Sequence, residues 1–528
     1  MSPTQLGGGE RGWSLVRVGV GEAGRAAARR ARHWTRRWEA QPLHTRRTVR
    51  LVAASGALGG VLAAGVITAA GPWDSGQRTA ERQTAARADA AEGRTGDADH
   101  DSSDGVPAGG APGDGPQGTA VGAPRVLTPL GPQAGTRPVG TPPTGAGLAE
   151  KLAPLLQDPA LGSPSTAAVW DVTTGRELYG ARETAGVVPA STVKLATGAA
   201  ALAALGRDHR IPTASLADGG KVFLVGGGDP TLSAQRLARL ARATAREVKA
   251  DGVRKVAVRY DATAYAGDVL HEIGPNENIA PVTPLMVNEA RLDGSRHGPA
   301  PRAAEPARDA ADAFAGALRK AGVRVAGEPR AARVPEQADE LATTYSAPLA
   351  ALTERMLTYS DNDLGEALAR QTAIATGRDA SFAGAGKAVA GQLRKLGLPV
   401  RGAEFTDGSG LSRGNRVSAD LLARLLVTAA DPGHPELRPL LTGLPVAGFS
   451  GTLRDRYGDE AGGAGAARGV VRAKTGTLTG VNSLAGTVVD ADGRLLAFAF
   501  FTMGATDRAG AGQALDRMAA AVAGCGCR

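Results

Sequence analysis

At 528 residues the chain is too long for one typical core, so more than one domain or a long non-globular part is expected. Ala and Gly are abundant and aromatics make up only 4% of residues, which by itself selects no fold. The formal charge of +9 suggests a nucleic-acid partner until it is located: residues 1–50 hold eleven Arg and three Glu, leaving only +1 for the other 478 residues, so the rest of the chain has no global attraction for polyanions.

Residues 1–50 read as a basic cytoplasmic segment. Leu51–Gly71 follows, 21 residues without a charge, long enough to cross a bilayer as a helix. Arg46, Arg47 and Arg50 abut it, and the positive-inside rule places the N-terminus in the cytoplasm and everything after Gly71 outside. The expectation is a single-pass cell-membrane protein held through this transmembrane helix or signal anchor. Cleavage near Ala69-Ala70-Gly71 would instead make it secreted. Residues 72–145 are rich in Gly, Pro and Ala with almost no large apolar side chain, and read as a disordered stalk. As a coil it would span about 45–50 Å root-mean-square.

The globular part begins near Ala146. Ser165–Asp171 and Glu177–Tyr179 read as a hairpin, and Ser191–Leu205 as an apolar helix ended by Gly206, with Lys194 its single ionisable side chain. Lys221–Val225, Ala234–Lys249 and Lys255–Arg259 give strand, helix, strand. Gly226-Gly227-Gly228 reads as a tight turn, since no Gly-Lys-Ser/Thr follows to bind phosphate. Two helices flank a break at Tyr359–Asn362. Three strand-like runs close the chain (Gly469–Leu478, Ser483–Val489, Leu495–Phe501), followed by a helix at Gln513–Val522. Cys525 and Cys527 are the two cysteines, too close together to frame a fold and too few for a structural zinc site. These elements suggest an α/β sandwich (α+β) with an antiparallel sheet flanked by helices. The catalytic domain is assigned to 146–215 and 340–528, and an inserted domain to 216–339.

Three short motifs carry chemistry. Ser191-x-x-Lys194 puts a hydroxyl and an amine on one helix face; burial lowers the lysine pKa and turns it into a base for the serine. Taken alone, Ser-x-x-Lys recurs by chance. Ser360-Asp361-Asn362 offers a second hydroxyl and a carboxamide at a loop, but a plain helix N-cap would look the same. Lys474-Thr475-Gly476-Thr477 lies in a strand, where Lys and Thr suit a substrate carboxylate and Gly admits a close backbone; an exposed edge strand is the bland alternative.

In this order the three form the signature of penicillin-binding proteins and serine β-lactamases. The chain resembles the class C low-molecular-mass penicillin-binding proteins, the D-alanyl-D-alanine carboxypeptidase/endopeptidase type. Flanking stretches carry the resemblance further: Asp407–Arg413 with Asn415 and Ser418; Ser450–Leu453 with Arg456; Ala473–Leu478 running into Gly480–Gly486; and Gly226–Leu232. It spans about Leu148 to Met503. It implies a penicillin-binding/serine β-lactamase-like transpeptidase fold, with peptidoglycan stem peptides as substrate and β-lactams as covalent inhibitors. It also implies that Ser191 is acylated, Lys194 is the base, Ser360 relays protons and Asn362 binds the substrate backbone. Lys474 and Thr475 would hold the terminal carboxylate, and the N–H groups of Ser191 and Thr477 would form the oxyanion hole. No metal or cofactor is called for. Two departures stand out: the insert is shorter than the family's, and HEIGPNEN ahead of Ile279 lacks the expected tryptophan segment that would help hold the substrate's side chain.

A serine β-lactamase shares the motifs, but the long insert argues against it, and no counterpart of the class A deacylating glutamate is evident. A Ser-His-Asp hydrolase is poorly supported, because Gly448–Thr452 misses the nucleophile elbow and no histidine stands out. A non-catalytic wall-binding module would have had no reason to keep Ser191, Lys194, Ser360, Asn362 and Lys474.

Overall fold

The computed structural model describes residues 141–458 and 463–526. The basic segment, the apolar run 51–71, the stalk up to residue 140 and Cys527 lie outside the described residues. Among those described, no helix is long and apolar enough to cross a membrane.

Helix α1 (Gly145–Leu156) starts at Thr144, whose hydroxyl accepts from the Gly147 N–H. Strands β1 (Ser165–Asp171) and β2 (Arg176–Ala181) make the expected hairpin, turned by the Asp171 carboxylate accepting from Thr173 and Thr174. Ala190–Thr192 form one 3-10 turn, and helix α2 runs from Val193 to Leu205. Ser191 thus stands just ahead of the α-helix rather than opening it. Every residue of α2 from Val193 to Leu202 is buried.

The chain then leaves for the insert. Its elements are β3 (Pro212–Asp218), β4 (Lys221–Gly226), α3 (Ala234–Ala250), β5 (Lys255–Asp261), α4 (Pro306–Lys320), β6 (Arg324–Val325), β7 (Arg330–Ala331) and β8 (Asp339–Tyr345). The sheet order is β6-β5-β4-β3-β8, with β7 also on β5. Strand β3 is antiparallel to both neighbours, whereas β4, β5 and β6 run parallel because α3 and α4 are crossovers. Val222, Leu224, Val256 and Val258 of this sheet pack on Leu237, Leu240, Phe314 and Leu318 of the two helices. The N–H groups of Gly227 and Gly228 donate to the Pro212 and Pro284 carbonyls, a turn stitched into the protein's own backbone.

After β8 come α5 (Leu349–Tyr359), α6 (Asn362–Ala375), α7 (Phe382–Lys395), α8 (Ala419–Ala430), β9 (Arg472–Leu478), β10 (Val481–Val489), β11 (Leu495–Met503) and α9 (Arg508–Ala523). The main sheet has the order β2-β1-β11-β10-β9, antiparallel throughout. Successive side chains of β11 face opposite sides, as the strand period requires. Leu496, Phe498 and Phe500 pack toward α1 and α9, while Ala497, Ala499 and Phe501 pack toward α2 and α5–α8. Alanines on that second face, Ala168, Ala485, Ala497 and Ala499, let α8 lie close to the sheet, with the Ala-rich α2 packed behind it against α6 and α7. The result is the expected sheet flanked by helices, with α2 central among the helices of one face.

Candidate active site

The turn carrying Ser191 is held in a costly shape. Ala190 has φ 48°, a left-handed conformation that an alanine adopts only when its surroundings impose it. Two glycines press on this turn. A Cβ on Gly410, itself at φ 84°, would lie 2.1 Å from the Ala190 carbonyl oxygen; one on Gly476 would lie 2.7 Å from the Pro189 oxygen and 3.0 Å from the Ser191 nitrogen. Gly476 of β9 is therefore a matter of space: it brings the strand against the backbone of the nucleophile. Ser483 of β10 seals the contact, donating to the Pro189 carbonyl at 2.7 Å.

Lys194 is fully buried. Its ammonium donates to Ser191 Oγ at 3.0 Å, to Asn362 Oδ1 at 2.7 Å and to the Ser409 carbonyl at 2.5 Å. Burial pushes its pKa down to about 8, against the pull of Asp407, Asp361, Glu366 and Asp363. Ser-x-x-Lys thus yields a hydroxyl and an amine in hydrogen-bond contact, the arrangement a general base needs.

Asn362 opens α6, and its carboxamide is spoken for at both ends: the oxygen faces Lys194, and the nitrogen donates to the Asn278 carbonyl of the insert at 2.9 Å. Asp361 caps α6 by accepting from Leu364, so the cap reading is right for the middle residue of the motif. Ser360, at φ 57°, points the other way and accepts from Lys474 Nζ at 2.9 Å. Lys474 is as buried as Lys194, and its pKa is lowered well below the ordinary lysine value by burial and by Lys194. Thr475 donates to Thr452 Oγ1 at 2.8 Å. Ser191, Ser360, Thr475, Gly476 and Thr477 border one cleft of about 1080 Å³. The three motifs, far apart in sequence, are brought to one place.

Sequence reasoning missed what stands behind Lys194. Asp407 wraps the turn 407–412. Its Oδ1 accepts from Gly410 N and Asn415 Nδ2, each at 2.7 Å, and its Oδ2 from Ser412 N at 2.6 Å and His271 Nε2 at 2.9 Å. Glu366 accepts from the Gly408 and Ser409 N–H groups. Burial raises the Asp407 pKa less than these donors, His271 first, lower it, so the carboxylate stays ionised; burial and Asp407 push Glu366 up to about 7. A second buried set, Glu289, Asp361 and Asp363, meets Arg291, Arg355 and Arg302. Both acidic sets have ligand-like spacing, with oxygens that accept from N–H groups or guanidiniums of the chain. The Asp-Gly-Ser-Gly run was a legible turn signal; nothing local marked His271.

A family model described as the D-Ala-D-Ala carboxypeptidase 3 (S13) family matches residues 148–296 and 294–523. The chain belongs to this family. Carboxypeptidase DacB of Mycolicibacterium smegmatis is 40% identical over 409 residues, 73% of this chain and 85% of that protein. The D-alanyl-D-alanine carboxypeptidase of Actinomadura sp. strain R39 is 33% identical over 440 residues, 66% of this chain and 79% of that one. Penicillin binding protein 4 (dacB) from Haemophilus influenzae shares the fold at a TM-score of 0.59 and 23% identity, covering 69% of this chain and 97% of that one. The recognised family and the transpeptidase-like fold both stand.

Proposed function

We propose that the chain is a serine-type D-Ala-D-Ala carboxypeptidase that acts on peptidoglycan stem peptides through an acyl-enzyme on Ser191. Family membership supports the reaction class. The observation that carries the residue assignment is Lys194 Nζ at 3.0 Å from Ser191 Oγ, with Ser191, Ser360, Thr475, Gly476 and Thr477 bordering one cleft. Lys194, neutral when it acts, takes the Ser191 proton as Oγ attacks the penultimate D-Ala carbonyl carbon. The C–N bond to the terminal D-Ala breaks, and its amine receives a proton by way of Ser360 or Lys194. The N–H groups of Ser191 and Thr477 face the developing oxyanion, and Lys474 and Thr475 hold the substrate carboxylate. Asn362 aligns Lys194, with the substrate backbone beside it. Water then cleaves the ester.

β-Lactams acylate the same serine on this reading, and a Haemophilus relative of the same fold is known as a complex with one. The carboxylates around Lys194 are committed to turns and arginines, so none is free to activate water against a penicilloyl ester, which is expected to persist. The test is direct: the protein should release D-Ala from a diacetyl-Lys-D-Ala-D-Ala peptide and show a one-equivalent burst with penicillin, then slow turnover. Rapid multiple-turnover penicillin hydrolysis without D-Ala release would make it a β-lactamase instead; burst labelling without D-Ala release would favour endopeptidase action on cross-links. Anchoring by residues 51–71 with the enzyme outside the cell is part of the proposal, supported by the adjacent arginines. A tag after Arg528 should be accessible on intact cells and one before Met1 should not; the reverse would refute it.

A further inference from the structure

Two of the three acceptors that surround Lys194 are steered from the insert. One is Asn362, through the Asn278 carbonyl. The other is the Ser409 carbonyl, whose control is less obvious. Ser409 C=O and Gly410 N–H belong to one peptide unit, which is planar. Its N–H donates to Asp407 Oδ1 at 2.7 Å and its oxygen accepts from Lys194, so the angle of Asp407 sets the direction of the carbonyl. Asp407 is in turn held by His271, which reaches it from the long insert segment between β5 and α4.

His271 is buried and has one arrangement that satisfies both ring nitrogens. The Ile273 N–H donates to Nδ1 at 3.3 Å, so Nε2 carries the hydrogen given to Asp407 Oδ2 at 2.9 Å. The ring stands edge-on to Phe382 of α7, centroids 5.5 Å apart, which fixes its plane. We propose that His271 is a positioning residue for Lys194: by holding Asp407 it aims the Ser409–Gly410 peptide, and with it the carbonyl that fixes the base. The insert is on this account part of the catalytic apparatus.

The proposal rests on Lys194 being the base. The test uses the full chain and labelled penicillin under single-turnover conditions, reading the limiting acylation rate, the half-saturating concentration and a melting curve. Glutamine can place a donor where Nε2 stands, and asparagine cannot reach it. His271→Ala and His271→Asn should slow limiting acylation about ten- to a hundredfold with half-saturation near wild type, the melting curve showing a lowered midpoint but a folded protein at the assay temperature. His271→Gln should recover to within about threefold of wild type. Should His271→Ala fail to fold, the Asn and Gln pair carries the comparison. Wild-type rates in the Ala and Asn variants overturn the proposal, as does a Gln variant as slow as the Asn one. Either result leaves Lys194 as the base. A Ser191→Ala protein that still forms the adduct would remove the base assignment and this proposal together.

Discussion

Two lysines stand in this site, both fully buried, in opposite company. Lys194, at the start of α2, is surrounded by carboxylates that hold its pKa near 8 against desolvation. Lys474, on β9, has Ser360 and the Thr475 carbonyl for partners and feels Lys194 as a like charge. Burial is common to both, and the counter-charges decide the outcome. One is an amine kept within reach of deprotonation near neutral pH. The other has no carboxylate beside it and loses more of its basicity, and on our reading the substrate carboxylate supplies the counter-charge that favours its ammonium form.

That contrast can be broken in several places. The largest effect is expected from Ser191→Ala, which should abolish the penicilloyl adduct by mass spectrometry, at least about 10³-fold, with the melting curve unchanged. Lys194→Met keeps the packed stem and removes the base, and should slow acylation about 10²- to 10⁴-fold. Lys474→Met should cost about ten- to a hundredfold for a carboxylate-bearing β-lactam and far less for its uncharged ester; equal losses on both would deny the clamp.

A pH profile sharpens the difference. Lys194 works as the neutral amine, so acylation should rise with pH through about 8 and then level off. Asp407→Asn removes the strongest field favouring the ammonium and should move that rise to lower pH; no movement would sever Asp407 from the base. The smallest effect belongs to Thr452→Val, which frees the Thr475 hydroxyl and should weaken acylation roughly twofold.

Much of this was legible in the sequence, for identifiable reasons. Ser191 and Lys194 were legible because Ser-x-x-Lys, Ser-x-Asn and Lys-Thr-Gly occur in that order, the α2 core because its helix is apolar nearly all round, and β11 by its apolar run Leu495–Phe501. The Ser360-Asp361-Asn362 break was legible as a loop, with its middle residue doing the capping. What escaped was long-range. His271 meets Asp407 across 136 positions, and Glu366 meets Ser409 across 43, pairings that leave no local pattern. The mixed sheet of the insert was hidden for a similar reason: β6 and β7 are two residues each, too short to show a period.

The order of strands in the main sheet has a temporal consequence. Its central strand is β11, the last of the chain, and the β1–β11 seam joins Ser165 to Thr502 over 337 positions. The insert closes its own sheet where β3 meets β8, with Pro212 beside Tyr345. A chain that emerges N-terminus first can complete the insert while β1 still shows an open edge. Non-local pairing of this kind is slow to form, and here it is left until the end. Interruption between Lys194 and Leu495 would leave Ser191 and Lys194 on the chain with no middle to the sheet that brings them to β9.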